Sequence, residues 1–312
     1  MKFGFALLVL FTCFTAAQGQ YKATVLADVF TNSHCSACAS MYKAVDLHIT
    51  NTVRKSNVIM VFNHVSTYQD DPIYQANKTQ PIQRAQWYGG VNSTPSIFFG
   101  GSRTTGGYSS WPAQIDALLE KTSAYEVVPV LTTTQDSLIL TYRVTRAASG
   151  PTSPALYGVL VENIAYQGRN GVSSHDGALR QLFTPVQGDS LVFNNQNVAT
   201  GRLAIARNAT WNVEKLRVVV SVQDPTTKKS LQAAQVEAQM ATDVHDETFV
   251  ASGPATADVV DVRGSIVSRH EGLLIDNVGI VSQVTRTLPS GAYFVRIVRG
   301  TSVTVRSIVI AR

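Results

Sequence analysis

Apolar and polar positions follow one rhythm in the first third of the chain and another beyond it. Between Tyr21 and Thr122, unbroken apolar runs trade places with stretches whose apolar residues recur every three or four positions. Lys22–Phe30 and Asn57–Val65 read as buried strands. Between them Met41, Val45, His48, Ile49 and Val53 trace one face of a helix predicted over Ser36–Arg54. Gln69–Trp87 is polar with scattered apolar positions and is predicted partly helical. Ser96–Phe99 reads as a short strand, Gly100-Gly101 as a tight turn, and Trp111–Lys121 as a closing helix with Pro112 in its first turn, where proline costs no hydrogen bond.

From 125 to 240 the helical period disappears. Glu126–Thr132, Ser137–Thr145, Leu156–Ala165, Asp189–Phe193 and Leu216–Gln223 are short runs rich in Val, Leu and Tyr, separated by clusters of Gly, Pro, Asn and Ser. That spacing predicts an all-β sandwich. Residues 241–256 are polar without sustained period and read as a linker. The last block, 257–312, returns to alternating strands, with a Leu288-Pro289-Ser290-Gly291 turn before one of them. The expected class is therefore multidomain, α/β followed by all-β.

The first nineteen residues belong to neither rhythm. Lys2 supplies a positive start, Phe3–Phe14 an apolar stretch and Ala17-Gln18-Gly19 a small-x-small site, so residues 1–19 are expected to be a signal peptide cut before Gln20, with a cut after Ala17 as the alternative. Cys13 falls inside that segment; Phe11-Thr12 ahead of it match poorly with the small residues of a lipid-acceptor site. No later stretch reaches the ~18 continuous apolar residues of a membrane span. The protein is expected to be exported.

Composition narrows the classes further. With 45% hydrophobic and 15% charged residues the chain is neither disordered nor fibrous. The net charge of +5 is spread thinly and forms no basic stripe interleaved with aromatics, so no nucleic-acid partner is expected. Glycine pairs 89–90, 100–101 and 106–107 lack the helix-opening context and lysine of a phosphate loop.

Chemistry concentrates at Cys35-Ser36-Ala37-Cys38. Two thiols three positions apart at a helix start close a disulfide or share a metal, and exposed backbone N–H groups there favour a thiolate on the first sulfur. In an oxidising compartment a disulfide, permanent or cycling, is expected. A loop this short gains little chain entropy from closure, which argues for a redox-capable pair over a purely structural bridge. In the redox reading Cys35 attacks and Cys38 resolves, and a protonated His34 stabilises the thiolate. A metal would draw on His34, Cys35 and Cys38 with His48 or His64, but no second CxxC or close His pair completes the set, so neither metal nor cofactor is expected. Asp70-Asp71 read as helix caps. His175, Asp176 and Arg180 read as a loop-fixing hydrogen-bond cluster without a nucleophile. Trp87, Trp111 and Trp211 read as packing residues.

Strand, CxxC, helix, strand, helix and then Val91-Asn92-Ser93-Thr94-Pro95-Ser96-Ile97 resembles the thioredoxin fold. The fragments VLADVFTNSHCSAC, VFNHVS and YGGVNSTPSIFFGG, and later GVLVENIAYQ and VVVSVQDPTTKKSLQAAQVE, are similar to Omp28-related, thioredoxin-like secreted bacterial proteins. The resemblance implies a thioredoxin-like domain over 20–124, an Omp28-like β-sandwich over 125–240, and a cis peptide at Thr94-Pro95 lying against the disulfide. It also implies that a buried carboxylate near Asp28 helps move a proton to the second cysteine; strand alternation equally allows a solvated Asp28. Ala39 stands where the family often has proline, and His34 where classical thioredoxins carry tryptophan. The ending LPSGAYFVRI and VTVRSIVI is similar to the C-terminal sorting domain of type IX secretion cargo. That implies delivery by the translocon and sortase through 257–312, with surface lipopolysaccharide anchoring. The expected function is a cell-surface or secreted protein with thiol–disulfide oxidoreductase activity on a protein thiol or disulfide. Its rival is a non-enzymatic binding or adhesion protein that uses the same fold as a scaffold with a structural disulfide.

Overall fold

A computed structural model describes residues 21–147, 150–151, 153–240, 255–261, 265–273, 280, 284, 288–299 and 302–310. The expected signal peptide with Cys13, and 241–254 of the expected linker, lie outside the described residues. The chain divides into two compact units, Met1–Ala241 and Thr242–Arg312.

The first unit begins with β1 (Tyr21–Lys22), β2 (Val25–Thr31), α1 (Ser36–Val45), β3 (Val58–His64), α2 (Pro72–Ala76), α3 (Gln80–Trp87), β4 (Ser96–Phe99), β5 (Ser102–Arg103) and α4 (Trp111–Leu119). It continues through β6 (Thr122–Ser123), β7 (Tyr125–Thr133), β8 (Ser137–Arg146), β9 (Ala155–Ala165), β10 (Ser174–Leu182), β11 (Asp189–Ser190), β12 (Val198–Ala206), β13 (Leu216–Gln223), β14 (Ser230–Glu237) and β15 (Gln239–Met240). The helix predicted over Ser36–Arg54 is α-helical only to Val45. It widens into a π turn over Asp46–Thr50 and ends in a 3-10 turn over Val53–Ser56. The polar stretch 69–87 resolves into α2 and α3, each with proline in its first turn.

β2 is buried at every position because it is central: β3 runs parallel on one side and β4 antiparallel on the other. Its alternate residues serve the two faces of the sheet. Val25, Ala27 and Val29 pack with Met41, Ala44 and Val45 of α1 and with Trp111 and Ile115 of α4. Leu26 packs with Ile59, Val61, Tyr157 and Val219, and Phe30 with Val65, Ala85 and Phe98.

Among the described residues the sheet does not stop at the end of the α/β part. β10 pairs in parallel with β3, so the order β14-β13-β9-β10-β3-β2-β4-β5 carries strands of both halves, with β11 added beside β9. A second sheet, β12-β8-β7-β15, contributes Leu131, Leu138, Leu140 and Val144 to a core shared with Leu156, Leu160, Val218 and Val220 of the long sheet. No helix of the described residues is long and apolar enough to cross a membrane.

The second unit holds β16 (Ala255–Asp261), β17 (Ile266–Leu273), β18 (Gly291–Arg299) and β19 (Ser302–Ile310) in one antiparallel sheet ordered β17-β16-β18-β19. Ala257, Val259, Val295 and Ile297 are its buried centre. Asp258, also buried, is paired by Arg269 and Arg296.

Candidate functional site

The two cysteines open α1. Cys35 is the N-cap in an extended conformation, and its Sγ accepts the backbone N–H of Cys38 at 3.2 Å, which closes the first helical turn around the sulfur. The pair lies at disulfide distance, with 5.3 Å between Cα atoms. Cys38 is fully enclosed and Cys35 is 5% exposed. The Thr94-Pro95 peptide is cis, and the Thr94 carbonyl oxygen stands 3.7 Å from Cys35 Sγ, where a free thiol would donate to it. The Thr94 hydroxyl bonds that of Thr67 at 3.0 Å. Beside Thr94 opens a cleft of about 410 Å³ lined in part by Val65, Thr67, Ile82, Ala85 and Val91.

The turn ahead of Cys35 is fixed by side chains from many positions away. Asn32 donates to the carbonyls of Val65 and Tyr68 and accepts from the His34 N–H. The Ser33 N–H donates to Asp71, which also caps α2 through the Ile73 N–H and accepts from His64 Nδ1 at 2.8 Å. Burial pushes the Asp71 carboxyl up, but the hydrogen bond and charge of His64 and the Ser33 N–H outweigh it. Together they hold Asp71 well below the usual carboxylate range. The capping role read for Asp71 is therefore one of three tasks.

His34 does not hydrogen-bond the Cys35 sulfur. Its Nδ1 meets Asp70 at 3.1 Å and its Nε2 meets the Tyr166 hydroxyl at 3.3 Å. The His34 bond, joined by Arg169, lowers the Asp70 carboxyl. Any help His34 gives a thiolate is electrostatic.

Asp28 is buried, not solvated. It lies on the side of β2 that carries Leu26 and Phe30, opposite the positions that pack under α1. Arg84 binds its Oδ2 at 2.8 Å, Tyr88 the same oxygen at 2.7 Å, and Asn63 its Oδ1 at 3.2 Å. The carboxylate is engaged by these three partners on the side of β2 opposite α1.

His175, Asp176 and Arg180 do not form one cluster. They sit on β10, where alternation and a bulge at Gly177 send them apart: Asp176 to Ser174, Arg180 to Glu162, and His175 inward. There His175 Nδ1 meets the Tyr42 hydroxyl at 3.3 Å, and its ring stands 5.4 Å from that of His64. The Nε2 atom of His64 is buried without a hydrogen-bond partner. Burial and the nearby His64 push His175 down to about 4. His48 lies in the π turn after α1, and among the described residues no three His, Cys, Asp or Glu side chains converge as a metal site. Sequence spacing gave no sign that Tyr166 borders the cysteine turn or that His175 stands beside His64, because sheet pairing brings them there.

No family model and no curated protein matches the sequence. Among solved structures, HBP35 of Porphyromonas gingivalis matches with a TM-score of 0.60 and 17% identity, over 94% of this chain and 100% of that one. A domain of the outer membrane lipoprotein Omp28 from Porphyromonas gingivalis matches with a TM-score of 0.29 and 15% identity, over 38% of this chain and 90% of that one. The similarity to HBP35 establishes a shared fold.

Proposed function

We propose that the chain is an exported, surface-delivered protein whose first unit is thioredoxin-like and exchanges thiols and disulfides with a protein partner. The observation that carries this reading is the Cys35–Cys38 pair at a helix start with the cis Thr94-Pro95 peptide against the first sulfur. Helix-terminal N–H groups stabilise a thiolate at that place. In the reducing direction the Cys35 thiolate attacks a partner disulfide, and the released partner thiolate takes a proton. Cys38 then loses its proton and attacks Cys35, forming the Cys35–Cys38 bond and releasing the second partner thiol, so two electrons and two protons pass to the partner. The cleft beside Thr94 offers a partner segment a place next to the sulfur.

One observation favours the rival, a binding or adhesion scaffold with a permanent bridge: Cys35 is only 5% exposed. Equilibration against glutathione separates the two. A cycling pair reduces within the glutathione range, whereas a potential far below about −300 mV marks a structural bridge. Insulin reduction by dithiothreitol should be faster with the wild type than with Cys35→Ser, and equal curves would sink the enzymatic reading.

For the second unit we propose the sorting role. Its support is that Thr242–Arg312 forms a compact unit of its own around a four-stranded antiparallel sheet, with the LPSGAYFVRI segment supplying the turn into β18.

A further inference from the structure

The turn that presents Cys35 is gripped by a loop from the other half of the first unit. Between β9 and β10 the chain forms a self-bonded hairpin end, with Gly168 N–H to the Val172 carbonyl at 2.8 Å and Tyr166 N–H to the Ser173 carbonyl at 3.1 Å. Asn170 donates its backbone N–H to the Ser33 carbonyl at 3.2 Å and its side-chain amide to the Asn32 carbonyl at 3.4 Å. The approach is close enough that a Cβ on Gly168 would stand 2.4 Å from the Ser33 oxygen, so glycine is required there. The same loop reaches His34 from two sides. Tyr166 bonds Nε2 directly, and Arg169 pairs with Asp70, whose other oxygen takes Nδ1.

Asp70 can only accept while ionised, so Nδ1 carries a hydrogen. The Tyr166 hydroxyl can accept from an Nε2–H or donate to a bare Nε2. The cradle therefore holds the ring in one place whether it is an imidazole or an imidazolium. His34 is next in sequence to Cys35, and a cation held there favours the thiolate, hence the reduced pair.

We propose that the β9–β10 loop is a working part of the cysteine site, with Tyr166 and Arg169 as positioning residues that hold His34 beside Cys35 and so set the balance between dithiol and disulfide. The inference rests on the thiol–disulfide reading given above, but its test is separable from it. Tyr166→Phe keeps the ring and removes only the hydroxyl. In the otherwise complete chain, the equilibrium constant for reducing Cys35–Cys38 is measured against glutathione and against the stronger reductant dithiothreitol. The hydroxyl accepts more strongly from a charged ring's Nε2–H than it bonds a neutral ring, so its loss disfavours the cation and is expected to shift that constant toward the disulfide by about threefold to tenfold. Iodoacetamide should alkylate reduced Cys35 more slowly by a similar factor. Because Tyr166 acts through His34, the variant should have no added effect in a His34→Gln background. A shift under twofold, or the same shift in both backgrounds, overturns the proposal. A pair reducible only by dithiothreitol would overturn the exchange reading and still show whether the loop sets the constant.

Discussion

Arg84 and Asp28 offer the sharpest test of how the first unit is held together. Both side chains are 1% exposed, and Arg84 on α3 binds Asp28 on β2 at 2.8 Å. Its other terminal nitrogen donates to the Val186 carbonyl at 2.8 Å and to Gln223 at 3.2 Å, while the guanidinium lies 3.8 Å from the Tyr157 ring centroid and 4.3 Å from that of Trp87. One cation thus ties α3 and β2 to β13, to the segment after β10 and to the face of β9. Burial works against its charge, and Asp28 with the rings of Tyr88 and Tyr157 more than offsets that, so Arg84 stays protonated well above its ordinary range. Arg84→Met leaves the Asp28 carboxylate buried without a cation, and Asp28→Leu does the converse. Breaking one side of such a pair costs about 3–5 kcal/mol, whereas replacing both partners by apolar residues of similar volume is often neutral or better. The double variant should therefore be more stable than either single one, and the cycle should return a coupling of several kcal/mol. Urea unfolding followed by tryptophan fluorescence suits the purpose, since Trp87, Trp111 and Trp211 all lie in the first unit and the signal reports that unit alone. Two single-variant losses that simply add in the double variant would refute the reasoning.

Two further outcomes are expected. His175 titrates near 4 in the fold against an ordinary value of about 6.5, so the unfolded chain binds more protons across that window. Stability is fully present above pH 6.5 and is lost as pH falls toward 4. Thermal midpoints should drop less steeply over that range in His175→Gln, and equal slopes would remove His175 as the cause. For the sorting proposal, a chain lacking 257–312 should accumulate in the periplasm, and its normal appearance at the cell surface would refute that role.

The local elements were legible because their causes lie within a few residues of each other. The apolar run through β2, the helix start at the cysteines and the proline opening α4 show in the spacing alone. So do the strands near 125, 137, 155 and 216. β10, β12 and β14 were missed because their sequences, SHDGALRQL, VATGRLAIA and SLQAAQVE, carry small, polar and charged residues that give no continuous apolar or strict alternating signal. The Cys35–Cys38 pair was likewise readable from its motif, whereas the cis proline at 95 was implied by the resemblance to the thioredoxin fold.

What the order of residues could not reveal is where β10 goes. Its parallel pairing with β3 joins the two halves in one sheet and brings His175 beside His64. The hairpin between β9 and β10 sets Tyr166 against His34, 132 positions away in the chain. Asp28 shows the same division. Its place on a strand before the cysteines was plain, but its partner is Arg84, and the side of the strand that burial selected faces away from α1. Sequence determined the cysteine turn and the helix behind it, because capping and hydrophobic period are local. Tertiary structure decided which groups surround that turn, because sheet order and register bring together side chains that no local pattern connects.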